Sequence, residues 1–138
     1  MISVYTDGSS MGCSNEPGGW SYVIVRDGET LADGYGGHPS TTNNRMELTG
    51  AIEGLSKAVQ FAADGEEIEL VSDSQYTLGM ASGGYKPKKN LDLATALRRL
   101  AIKVKAKTRW VKGHNKDAFN EQCDVLAKTG KEECSVRG

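Results

Sequence analysis

Three carboxylates sit where a folded chain could bring them together: Asp7 closing ISVYTD, Glu47 opening a helical stretch, and Asp73 closing EIELVS. Ile2, Val4 and Thr6 alternate with Ser3, Tyr5 and Asp7, the period of a strand. A strand–helix–strand passage from Asp7 to Asp73 predicts a parallel crossover between the two strands. Both aspartates would then stand at one carboxyl-terminal edge, where open α/β sheets place their ligands. Three carboxylates a few ångströms apart repel one another, so such a cluster persists only around cations. Hard oxygen ligands select Mg²⁺ or Mn²⁺ over zinc. Two such ions roughly 3.5–4 Å apart can activate a water and stabilise the leaving oxygen of a phosphoryl transfer. The chemistry expected is therefore that of a nuclease or a related enzyme, against the plainer alternative of strand-end aspartates capping loops.

The element that must position Glu47 is Ser40 to Ala63, STTNNRMELTGAIEGLSKAVQFAA. Asn44 and Glu47 have capping spacing, with Asn44 as the expected cap. At 100° per residue, Leu48, Ala51, Ile52, Leu55, Ala58, Val59 and Ala62 share one arc. Glu47 falls on its flank beside Gly54 and Ala58, small residues that let another element approach. A charge there needs a cation, unless Glu47 merely favours the positive end of the helix dipole.

The remaining elements follow from periodicity and turn chemistry. Gly8 to Gly19 reads as a glycine-rich loop, Gly18 to Arg26 as a second strand, and Asp27-Gly28 as a hairpin turn. Glu29 to Gly37 returns as a third strand whose glycines suggest a bulge or close backbone approach. The long helix should stop near Asp64-Gly65. Ser74 to Met80 and Leu91 to Ile102 are helical, Ala106 to Val111 is a last strand, and Ala118 to Lys128 closes the fold. That helix buries Phe119, Cys123 and Leu126, with Asp124 outside beside Asn120 and Lys128. From Gly130 on, a polar and flexible tail is expected. The fold class is α/β: a five-stranded mixed sheet, antiparallel in strands 1–3 and parallel in strands 4 and 5, flanked by helices.

The chain of 138 residues is the length of one domain, here 1–138, and can bury a core without staples. No run approaches the roughly 18 apolar residues of a membrane span, and no basic-then-apolar leader opens it. Three unpaired cysteines, Cys13, Cys123 and Cys134, suggest reduced thiols and a cytoplasmic protein. The net charge of −1 conceals a strong asymmetry. Residues 1–85 carry three basic side chains against twelve acidic, whereas residues 86–116 carry eleven basic against Asp92 alone. Such a split suits a polyanionic partner, or else a solvated lysine-rich face.

YTDGSS at 5–10, TTNNRMEL at 41–48, SDSQY at 72–76, and WVKGH with NEQCDVLA at 110–127 resemble the successive signatures of the type 1 ribonuclease H family, in its order and spacing. The resemblance implies a ribonuclease H-like fold and endonucleolytic cleavage of the RNA strand of RNA/DNA hybrids, leaving 5′-phosphate and 3′-hydroxyl ends. It implies four metal-binding carboxylates, Asp7, Glu47, Asp73 and Asp124, around two Mg²⁺ ions, with Mn²⁺ able to substitute. Asp7 bridges both ions by the family's pattern, Asp124 holds the ion that activates water, and Glu47 with Asp73 holds the other. His114 matches a histidine that assists water handling or product release. Asn43, Asn44 and Gln75 match minor-groove contacts, where 2′-hydroxyls mark RNA. Thr42 and Asn15 correspond to DNA-strand contacts and Asn120 to an RNA-side contact. For Asp124, an i,i+4 pair with Lys128 is an equally good account.

One departure stands out. Many members insert a basic helix and loop where this chain has only GMASGGYKPKKN. Lys86, Lys88 and Lys89 compensate in part, and weaker, salt-sensitive hybrid binding is expected. The chain is expected to act as a monomer, with the hybrid as partner and neither membrane nor protein partner evident. A non-catalytic binding module is disfavoured by the complete carboxylate set. A proofreading exonuclease is disfavoured because Gly8 and Ser9 follow Asp7, and a type 2 enzyme because its glycine–aspartate–glutamate signature is missing.

Overall fold

Alternate side chains of the first strand enter two different cores. The computed structural model, which describes residues 1–10, 16–113 and 117–137, resolves nine elements among them. These are β1 (Ile2–Ser10), β2 (Glu16–Arg26), β3 (Glu29–Thr41), α1 (Asn43–Ala58), β4 (Ile68–Ser72), α2 (Gln75–Ser82), α3 (Leu91–Val104), β5 (Lys107–Trp110) and α4 (Ala118–Arg137). The sheet order is β3-β2-β1-β4-β5. β1, β2 and β3 pair antiparallel, and β1–β4 and β4–β5 pair parallel, as the strand–helix–strand passage required.

Ile2, Val4, Ile24 and Leu70 pack with Leu48, Leu55 and Leu97 in the core shared with α1, α2 and α3. Tyr5, Val23, Val25 and Val71 pack with Cys123, Phe119 and Leu126 in the core under α4. Each fully buried leucine contributes about 1.5–3 kcal/mol by leaving water. The β2–β3 hairpin turns on Asp27 (φ 52°) and Gly28 (φ 76°), the positive pair that matches strand twist.

Several boundaries differ from the sequence reading, among them β2, which begins at Glu16 inside the expected Gly8–Gly19 loop, and β3, which runs past Gly37 to Thr41. β1 does not end at Asp7: its pairing with β2 continues to Ser10↔Gly18, whereas its pairing with β4 stops at Tyr5↔Val71. Asp7 therefore marks where the parallel neighbour falls away. Thr42, not Asn44, caps α1, its hydroxyl accepting from the Arg45 N–H at 3.2 Å, a contact worth about 1 kcal/mol. Asn44 lies within the helix and is exposed. α1 hands over to turns at Val59, ahead of Gly65. Residues 130–137, expected as a tail, continue α4. Gly130 is buried because the helix backbone lies directly on β3: a Cβ there would strike the Gly36 carbonyl.

Candidate active site

Backbone contact between α1 and β1 is so close at Gly8 that a Cβ would collide with Met46 and the Glu47 amide. One and two turns on, Gly50 and Gly54 repeat it, their missing side chains admitting the Asp7 and Ser21 carbonyls and Val4. The small flank beside Glu47 thus serves to lay the helix on the strand. Its consequence is that Glu47 opens directly onto Asp7. On the other side, the β1–β4 register aligns Tyr5 with Val71, which puts Asp7 and Asp73 level two residues further on. The Trp110 indole N–H donates to the Asp73 carbonyl at 3.1 Å, and Gly113 lies against the Asp73 carboxylate.

Asp7, Glu47 and Asp73 each offer a carboxylate oxygen within 4.8 Å of the others. Asp7 and Glu47 are buried, at 5% and 4% exposure. Burial first, and then the Asp73 charge, push the Asp7 carboxyl up to about 7, although the Gly8 N–H donates to its Oδ1 at 2.9 Å. Burial, followed by the charges of Asp7 and Asp73, holds Glu47 well above the usual carboxylate range. Its Oε2 is buried without a hydrogen-bond partner, an arrangement that is destabilising unless something else occupies the space. An all-oxygen donor set with an orphaned carboxylate oxygen fits a hard divalent cation.

The other expected residues are distributed unevenly. Asp124 stands near enough for its charge to raise Asp7, but its Oδ2 is paired with Lys128 Nζ at 2.9 Å. Asn43 and Gln75 are the first residues of α1 and α2, and with Asn44 all three are exposed. The Thr42 hydroxyl is engaged in the α1 cap. Asn120 is buried in the first turn of α4, its N–H donating to Asp117 Oδ1 at 3.0 Å. Asn15 and His114 lie outside the described residues. Cys123 is fully buried and its thiol is pushed up by burial, so it packs and does not attack.

The basic segment divides into paired and open parts. Lys107 pairs with Glu67, just ahead of β4, at 2.9 Å, and Arg109 with Glu69 of β4 at 3.1 Å. Lys86, Lys88 and Lys89 instead line an open groove of about 380 Å³ with Asn44, Tyr76 and Tyr85. Trp110 and Gly113 went unassigned from sequence, although both lie in the WVKGH motif; their role depends on the β4–β5 pairing.

The family model for RNase H matches residues 1–132. The Campylobacter jejuni ribonuclease HI is 41% identical, covering 92% of this chain and 88% of its own. An Erythrobacter litoralis ribonuclease H is 38% identical over 91% and 92% of the two chains. Among solved structures, the N-terminal RNase H domain of a Mycobacterium tuberculosis protein superposes with a TM-score of 0.85 at 27% identity, covering 99% of this chain and 96% of that one. RNase H1 of Halobacterium salinarum gives 0.81 at 27%, covering 96% and 98%. Sheet order and acidic edge together are those of a ribonuclease H-like α/β fold. The chain belongs to the type 1 ribonuclease H family and is a ribonuclease H.

Proposed function

We propose that the chain hydrolyses the RNA strand of RNA/DNA hybrids endonucleolytically, using two divalent ions and leaving 5′-phosphate and 3′-hydroxyl ends. The observation that carries the metal assignment is the Asp7–Glu47–Asp73 cluster, with Asp7 and Glu47 buried and Glu47 Oε2 left unpartnered. Asp7, Glu47, Asp73 and Asp124 would hold the ions, Mg²⁺ with Mn²⁺ as substitute. Such ions supply an activated water and stabilise the leaving oxygen. The chain's own contribution is to fix the acids: Gly8 holds the α1–β1 approach, and Trp110 holds the Asp73 backbone.

Exposed Asn43, Asn44 and Gln75 would read the minor groove, where the 2′-hydroxyl separates RNA from DNA. Thr42 and Asn15 would meet the DNA strand, the Thr42 hydroxyl keeping its proton to donate while it accepts from the Arg45 N–H. Asn120 would face the RNA, and His114 would assist water handling or product release. Lys86, Lys88 and Lys89 would attract the phosphate backbone in place of the longer basic insertion of other members. The chain would act as a single domain and as a monomer in the cytoplasm.

The test is cleavage of end-labelled RNA/DNA hybrid, RNA duplex and DNA duplex, each with and without Mg²⁺. Only the hybrid should be cut, only with metal, and only in its RNA strand, with the named termini on the fragments. Cutting of the DNA strand, or full activity in a chelator, would overturn it.

A further inference from the structure

The Asp124–Lys128 pair lies at the rim of the acidic cluster. The two residues occupy one stripe of α4, a turn apart, with Nζ and Oδ2 at 2.9 Å. Asp124 is 31% exposed and Lys128 51%, and the carbonyl of the neighbouring Cys123 accepts from the hydroxyl of Ser21, the β2 partner of Asp7. Asp124's charge reaches Asp7, and the Lys128 ammonium feels Asp7 as well as Asp124. A cation beside several clustered acids does more than brace its own helix: it occupies part of the field that a divalent ion would occupy.

We propose that Lys128 is a positioning residue, a built-in cation that holds Asp124 at the cluster's rim and must be displaced when a divalent ion takes that carboxylate. The inference rests on Asp124 being a metal ligand. Without metal, the ammonium offsets part of the repulsion among the acids and keeps the Asp124 carboxylate oriented. An ion held by Asp124 would take that carboxylate from Lys128, and the ammonium would then oppose the ion's charge. The Lys128 charge therefore makes the Asp124 side the weaker of the two positions.

The experiment is calorimetric titration of the full chain with Mn²⁺ and with Mg²⁺, without nucleic acid. Removing a unit charge so close to a divalent ion should tighten the weaker binding event about three- to tenfold in Lys128→Met and in Lys128→Gln. Lys128→Arg should retain the wild-type affinity, because the charge and not the side-chain volume sets the effect. In an Asp124→Asn background the gain from Lys128→Met should vanish. Unchanged or weaker binding in Lys128→Met, with Asp124→Asn weakened as a ligand variant should be, would overturn the displacement role alone. Unchanged binding in Asp124→Asn would instead remove Asp124 from the ligands, and the displacement role with it. Thermal unfolding in a chelator, run on every variant, separates either outcome from a failure to fold.

Discussion

Replacing Asp7 with Asn should stabilise the metal-free protein at neutral and alkaline pH, although it removes a side chain from the centre of the site. Folding raises the Asp7 carboxyl from 3.8 to about 7. Between those values the folded chain keeps a proton that the unfolded chain releases, so stability falls as pH rises. The contribution is fully present below about pH 4 and is lost on passing pH 7. At about 1.4 kcal/mol per pH unit, the ceiling on what the ionised carboxylate removes is about 4 kcal/mol; outward relaxation of the acids reduces that to about 2. Asparagine keeps the size and the acceptor for the Gly8 N–H but carries no charge. Urea unfolding in a chelator from pH 4 to 8.5 should show the wild type losing stability steeply and Asp7→Asn less so, its remaining slope coming from buried Glu47. The variant should lead by about 2–4 kcal/mol at pH 8, and the two should converge near pH 4. Saturating Mg²⁺ should restore the wild type more than the variant, because an ion bound only to the folded state adds stability. A wild-type profile flat from pH 5 to 8 in chelator, or a variant less stable at pH 8, would refute the repulsion on which the site assignment rests.

The same substitution, and Glu47→Gln, should lower hybrid cleavage at least about a thousandfold, since each removes several kcal/mol of charge stabilisation. Hybrid binding measured by fluorescence anisotropy should hold or improve. Gly130→Ala should destabilise the fold by about 1–3 kcal/mol, the reverse of the gain alanine normally brings inside a helix, because the new methyl meets the Gly36 carbonyl; urea midpoints decide it. Neutralising Lys86, Lys88 and Lys89 together should weaken hybrid binding and flatten its salt dependence by about one unit of log–log slope for each lysine that contacts a phosphate. An unchanged slope would place the backbone elsewhere.

Asp7, Asp73 and Glu47 were legible from sequence because each is fixed by a period: two for the strands, 3.6 for the helix, with the crossover tying the ends together. Where several local solutions have similar energies, sequence loses its hold. Thr42, Asn43 and Asn44 can all cap a helix, and the choice of Thr42 is made by which register buries Met46 and Leu48 against the sheet. A glycine near a polar stretch reads as a helix stop, yet Gly130 is held within α4 because only a glycine fits against β3. The charge count of residues 86–116 likewise concealed that Lys107 and Arg109 face glutamates across the β4–β5 pairing. Lys86, Lys88 and Lys89 of the α2–α3 connection instead line a groove with Asn44. Asp124 is the instructive case: its pairing with Lys128 was foreseen from helical spacing, and the structure contains it. A helix pair and a metal ligand are not competing descriptions of one residue, because the same carboxylate can serve the lysine before an ion arrives and the ion afterwards.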